Sequence, residues 1–180
     1  MRQLVSTFLM TGLVLLLNAC ATTQYTDDYR TGTDFSGLKT YSWRAVTVDV
    51  GGIDNNFVQS LADDQLRAQG FVPVENNADF MVDMQVFSRV NPGGNTNLGI
   101  GIGAGGSNGG IGMSTNKNVG QGKVEGMIVI DITQANSNTL IWRGNAEGIP
   151  LINFSLKAEQ KLRESFTKLL TPFPPQATVK

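Results

Sequence analysis

The chain has 180 residues, with 14 basic and 15 acidic side chains, a net charge of −1, no histidine and one cysteine, Cys20. This balance excludes a nucleic-acid binder, which needs a basic patch, and attachment to anionic headgroups by charge alone. The missing histidine removes His triads, His general bases and most zinc sites, and a single thiol leaves no internal disulfide.

The first predicted element is a signal peptide over residues 1–19. Met1-Arg2-Gln3 supplies a positive charge, and an apolar run follows from Leu4 to Leu17. That run is shorter than the roughly 20 residues a spanning helix needs, so it reads as an h-region. It ends in Leu17-Asn18-Ala19-Cys20, which resembles the lipobox of bacterial lipoproteins. The resemblance implies cleavage after Ala19, diacylglycerol on the Cys20 thiol and acylation of the new amine by chains of the palmitate type. Two or more acyl chains anchor a protein stably without a transmembrane helix. Ala21 stands where an Asp tends to retain a lipoprotein at the inner membrane, so the resemblance implies the periplasmic face of the outer membrane.

Residues 20–34 are polar and read as a lipidated tether, ending in a short strand near Tyr25–Tyr29. The region 35–175 reads as a single domain, with 176–180 as a tail. Tyr41, Trp43 and Ala45 alternate with Ser42, Arg44 and Val46, the period of a half-buried strand. From Asp54 to Gln69 the spacing predicts a helix, with Phe57, Val58, Leu61, Ala62 and Leu66 on one face. Asp54 or Asn55 can cap it, and Gly70 suits the C′ position with Phe71 folding back. Phe71–Val74 is a short strand held to an edge or a strand end by Pro73. A long strand follows, with Phe80, Val82, Met84 and Val86 on one face. Val124–Thr133 and Thr139–Glu147 are two more strands, joined by a short turn at 135–138 and paired as an antiparallel hairpin. A second helix runs from Phe154 or Ser155 to Leu170, buries Ala158, Leu162, Phe166, Leu169 and Leu170, and is stopped by Pro172, Pro174 and Pro175. The expected fold is α+β: an antiparallel β-sheet with both amphipathic helices packed on one face.

Residues 91–122 hold 12 of the chain's 21 glycines. Gly101, Gly103 and Gly106 match G-x-G-x-x-G, but Ser107-Asn108-Gly109-Gly110 cannot open the helix that a dinucleotide site requires. The alternation Leu98-Gly-Ile-Gly-Ile-Gly-Ala reads instead as a Gly-rich hairpin. It is either a mobile insertion, since glycine disfavours order, or a surface where Gly99, Gly101, Gly103 and Gly105 let a partner backbone approach closely.

The polar candidates are few. Asp63 and Asp64 are neighbours on a helix, point about 100° apart and read as a solvated face. Asp83 and Asp131 are mid-strand and can meet across the sheet. Two such carboxylates permit metal or acid–base chemistry, against the plainer reading of two exposed sheet positions. No nucleophile has a Ser-x-x-Lys or G-x-S-x-G setting. The chain therefore reads as no enzyme, with no catalytic residue, metal site or cofactor.

Several segments together resemble the bacterial lipoprotein family known as domain of unknown function 4136. They are Asp34-Phe-Ser-Gly-Leu-Lys-Thr-Tyr-Ser-Trp43, Leu66-Arg-Ala-Gln-Gly-Phe71, Ala78-Asp-Phe-Met-Val-Asp83, Gly126-Met-Ile-Val-Ile-Asp131, Leu140-Ile-Trp-Arg-Gly-Asn-Ala146 and Pro172-Phe-Pro-Pro175. The resemblance implies an α+β lipoprotein domain and supplies no activity or catalytic residue. The expectation is a membrane-anchored interaction or structural component of the envelope that engages another envelope protein. The alternative is a periplasmic binder of a small ligand or lipid, with a pocket between sheet and helices.

Overall fold

The computed structural model describes residues 23–91 and 123–176. They form strands β1 (Gln24–Tyr29), β2 (Thr40–Asp49), β3 (Val72–Pro73), β4 (Phe80–Asn91), β5 (Lys123–Gln134) and β6 (Thr139–Ile149), and helices α1 (Asn55–Ala68) and α2 (Glu159–Leu170). One six-stranded sheet has the order β1-β6-β5-β4-β2-β3.

The α+β class and the two helices match the expectation, but the sheet is mixed. β4, β5, β6 and β1 pair antiparallel, whereas β2 pairs parallel with both β3 and β4. The reason is connectivity. α1 lies between β2 and its neighbours, and a helical crossover returns the chain in the same direction, as a tight hairpin cannot. The stretch read as a strand near Tyr25–Tyr29 is β1, an edge strand of this sheet.

Both ends of α1 form as the sequence dictates. The Asp54 carboxylate accepts from the Phe57 N–H at 2.8 Å. Gly70 takes φ +92°, and the Phe71 N–H donates back to the Leu66 carbonyl at 3.1 Å, a reversal that side chains with a Cβ resist. α2 starts later than the periodicity implies. Leu151–Asn153 and Leu156–Ala158 are single 3₁₀ turns, and the α-helix begins at Glu159.

The core lies between the helices and one sheet face. Val58, Leu61, Ala62 and Leu66 from α1 and Leu162, Phe166, Leu169 and Leu170 from α2 are buried with Phe80, Val82, Met84, Val86, Ile128, Ile130 and Ile132. The register sets Val82 opposite Ile132, Met84 opposite Ile130 and Val86 opposite Ile128. Phe173 closes one end, with ring centroids 5.3–6.1 Å from Phe71, Trp142, Phe80 and Phe35. These side chains pack together as one apolar core between sheet and helices.

A β-bulge falls between Trp43 and Ala45. It adds one residue to β2, so Val46 and Val48 join Tyr41 and Trp43 on the helix side and Ala45 is exposed. The simple alternation placed Ala45 inward; the extra residue reverses the parity beyond it. Among the described residues no helix is long and apolar enough to cross a membrane.

Candidate functional site: the ion-paired face of the sheet

The face away from the helices carries the polar residues of every long strand. Asp83 on β4 stands directly opposite Asp131 on β5, and Asp131 opposite Arg143 on β6. Asp83 and Asp131 thus meet across the sheet, but each is already matched by a guanidinium. Arg143 donates through Nε and Nη2 to the two oxygens of Asp131, both at 2.5 Å. Arg44, the residue added by the bulge, donates from Nε to Asp83 Oδ1 at 3.0 Å and pairs through Nη2 with Oδ2. Its remaining donors reach Asn138 Oδ1 at 3.0 Å and Thr133 Oγ1 at 3.4 Å.

The result is a line across four strands, Arg44, Asp83, Asp131 and Arg143, in which two facing carboxylates are flanked by one guanidinium each. The carboxylates raise the pKa of both guanidinium groups above the ordinary value, Asp83 acting on Arg44 and Asp131 on Arg143. Six residues further along β4, Arg89 reaches over β5 to Glu147 on β6. Between the two sets lies a neutral row of half-buried Gln85, Val129 and Asn145.

Bidentate guanidinium–carboxylate pairs fix both partners in orientation. The two aspartates therefore present a braced surface, with both oxygens of each already accepting. No group of three His, Cys, Asp or Glu that could hold a metal occurs among the described residues.

Asp63 and Asp64 are also separate, and neither is merely solvated. Asp63 Oδ1 accepts from Tyr41 Oη at 2.6 Å and from Trp43 Nε1 at 2.9 Å, so one carboxylate of α1 holds two rings of β2. Burial first, and this bond second, push the Tyr41 phenol far above its ordinary range. Asp64 pairs with Arg163 of α2 at 2.6 Å. Sequence reasoning missed Asp63. The available signal was the pair of ring donors two residues apart on a buried strand face, since buried Tyr and Trp usually find an acceptor.

A shallow polar groove of about 470 Å³ lies at the far end of β1, lined by Arg30, Thr31, Gly32, Thr33, Asp34, Gln134, Thr139 and Ile141. Its size is in the range of ligand sites, but its lining lacks the apolar walls usual in them. Asp34 is turned onto its own loop, accepting from Ser36 N and Oγ at 2.9 and 2.7 Å. Cys20 and Gly99, Gly101, Gly103 and Gly105 lie outside the described residues.

A family model described as "Domain of unknown function (DUF4136)" matches residues 25–175. The chain belongs to the DUF4136 family. No curated protein matches the sequence. Two structures of the PelC dodecamer from Paraburkholderia phytofirmans, one a point variant, align at TM-score 0.50 with 14% and 12% identity, covering 84% of this chain and 96% of theirs. A PDZ domain protein from Parabacteroides distasonis aligns at TM-score 0.52 and 16% identity, over 97% of this chain and 40% of that one. At these identities the alignments show a likeness of fold alone. A minor lipoprotein from Acinetobacter baumannii aligns at TM-score 0.35 and 11% identity, over 74% of this chain and 87% of that one. Within the DUF4136 domain the segments that carry the family resemblance are braces of the fold. Asp79 grips the start of β2 through Lys39 N, Thr40 N and Thr40 Oγ1 at 2.8–2.9 Å. Trp142 and Phe173 pack in the core, and Asp83, Asp131 and Arg143 make the ion-paired face.

Proposed function

We propose that this DUF4136 protein is a lipid-anchored envelope component, held by acylated Cys20 at the periplasmic face of the outer membrane. Its domain serves as an interaction or structural module and not as an enzyme. The anchor rests on the Leu17-Asn18-Ala19-Cys20 lipobox with Ala21 after it. The module role rests on the outer face of the sheet, where three Arg–acid pairs brace a surface that no described helix covers.

The edges of the sheet are poorer docking sites. Arg30 N–H donates to the Ile141 carbonyl, so alternate residues 25, 27 and 29 of β1 turn their backbone outward. The Tyr29 N–H among them is taken by Asp28 Oδ1 at 2.9 Å. On β2 the Val46 carbonyl accepts from Asn55 Nδ2 at 3.0 Å, next to the bulge. Charges, bulges and such caps discourage strand addition, which favours the face over these two strands.

The test is photo-crosslinking in cells from a probe at Gln85, in the middle of this face, and from one at Ser60, exposed on α1. Anchored protein should give a discrete adduct from Gln85 and none from Ser60, and a Cys20→Ser form should lose it. An adduct between copies would make the partner a second chain, as in the dodecamer of the PelC fold neighbour. If neither probe captures protein while a small molecule co-purifies, the module reading is withdrawn for a binder, with the groove beside Arg30 as its site.

A further inference from the structure

Five of the eight large apolar side chains exposed among the described residues stand at one end of the sheet: Val90, Val124, Leu151, Ile152 and Leu156. The last three are concentrated within six residues of chain, in the two 3₁₀ turns between β6 and α2. Ile152 is 80% and Leu156 66% exposed. Scattered exposed apolar residues are ordinary, whereas a concentration of them marks a contact surface.

These turns are fastened from inside, so the exposed side chains cannot fold inward. Phe154, between them, is buried at 2% exposure, and its ring fills the space above Gly126 that a Cβ would occupy. Its carbonyl sits where a Cβ on Gly52 would be, at 2.6 Å. With Phe154 pinned, Ile152 and Leu156 flank it on the outside, and Lys157 beside them is exposed.

The anchor leaves the domain at the same end. β1 is antiparallel to β6 and opens with Gln24 opposite Glu147, two residues before β6 ends at Ile149. Followed backwards from Gln24, the chain heads the way β6 continues into Pro150 and Leu151. Cys20 is three residues before Thr23, the first described residue, so its Cα lies at most about 11 Å from that of Thr23. A lipidated cysteine sits at the bilayer interface, and a tether this short holds the adjoining end of the domain against the headgroups.

We propose that Leu151, Ile152 and Leu156 form a membrane-docking patch that enters the surface of the bilayer to which Cys20 is anchored, with Lys157 set toward lipid phosphate. The proposal rests on the lipoprotein reading. It gives the domain a fixed stance: β1–β6 rise from the membrane, and the β5–β6 turn is presented to the periplasm. Interfacial apolar side chains bury about 5–10 Å into the headgroup and acyl boundary, a depth open to single side chains projecting from a pinned turn.

The experiment uses lipidated protein reconstituted in phosphatidylethanolamine–phosphatidylglycerol vesicles. Its intact mass first reports whether Cys20 is N-terminal and carries diacylglycerol. Because lipid occupies that thiol, a cysteine introduced as Ile152→Cys or Leu156→Cys is the free one, and an environment-sensitive fluorophore is placed there or on Ser137→Cys in the β5–β6 turn. Labels at 152 and 156 should shift to the blue and be quenched by lipid-borne nitroxides, while the label at 137 stays water-exposed. If the mass confirms the lipid but all three labels report water, the patch is refuted and the anchor stands. An absent lipid overturns both. A blue shift without lipid quenching, retained in soluble Cys20→Ser protein, would mean that another protein surface covers the patch, and the proposal falls.

Discussion

The Asp63 carboxylate offers the sharpest test of how α1 is registered on the sheet. It accepts two hydrogen bonds on one oxygen, from Tyr41 Oη at 2.6 Å and Trp43 Nε1 at 2.9 Å, and Tyr41 is wholly buried. Hydrogen bonds to a charged partner contribute about 1.5–3 kcal/mol each, and a buried donor left unpaired costs about 1–3 kcal/mol. Because the two donors share an oxygen and Asp63 is half-exposed, the contributions overlap. Asp63→Ala should then destabilise the domain by about 2–4 kcal/mol. A domain of this size loses about 2–4 °C of Tm per kcal/mol, so a drop of about 4–16 °C is expected in thermal unfolding of a Cys20→Ser form. Tyr41→Phe removes one donor and leaves the ring, and should cost about 1–2 kcal/mol. In the double mutant the two losses should fall short of additivity by about 1 kcal/mol or more, the signature of direct contact. A loss below about 0.5 kcal/mol for Asp63→Ala, the range of plain surface substitutions, would refute the reasoning and return Asp63 to the solvated face.

Arg143→Ala should cost about 1–2 kcal/mol in denaturant unfolding. Its partner Asp131 is left on a half-buried face, and the pair is discounted because both side chains remain 17–27% exposed; Asp131→Asn with Arg143→Gln should recover part of the loss. Gly144→Ala places a Cβ 2.3 Å from the Trp142 ring and 2.9 Å from Leu169, so a loss of about 1–3 kcal/mol and a changed near-ultraviolet Trp signal are expected. The Tyr41 phenol is raised above its ordinary value of 10.0. Its stabilising share is thus complete below that pH and declines as pH rises beyond it, and Tyr41→Phe should flatten the alkaline limb of the stability profile. Asp79 is depressed below 3.8 by the hydrogen bonds from Lys39 and Thr40. Its share is present above that pH and is lost on acidification, so Asp79→Asn should lower stability at neutral pH and flatten the acid limb.

Where one physical signal ruled a segment, the sequence was enough to read it. The α1 stripe, the Asp54 cap, the Gly70 reversal and the inward rows Phe80–Val86 and Ile128–Ile132 are local, and each appears where its periodicity puts it, whereas α2 opens late and a register shift beside Thr133 buries Ile141 and leaves Leu140 exposed. The parallel β2–β4 pair depends on a crossover, and the strand–helix–strand order that announces it was outweighed by the many hairpin-like strands. The bulge at Arg44 has no glycine to mark it, so nothing local showed that Val46 turns inward and Arg44 gains reach to Asp83. For the candidate site, the meeting of Asp83 with Asp131 followed from strand period alone. Their capture by Arg44 and Arg143 did not, because it depends on a cross-strand register that one-dimensional spacing leaves open.

Pairing β1 with β6 also joins the beginning of the folded chain to its last strand, and Phe173 near the C-terminus packs against Phe35 near the start. Closing such distant contacts fixes a long intervening loop, whose entropic cost grows slowly with length but precedes any reward from the contacts. Delivered from its N-terminus, the domain cannot complete its sheet until the final strand arrives. Tyr25 and Tyr29 wait unpaired until then, and a chain ended before Trp142 should remain open to proteolysis at β1. β1 is therefore among the first segments delivered and the last to find its place.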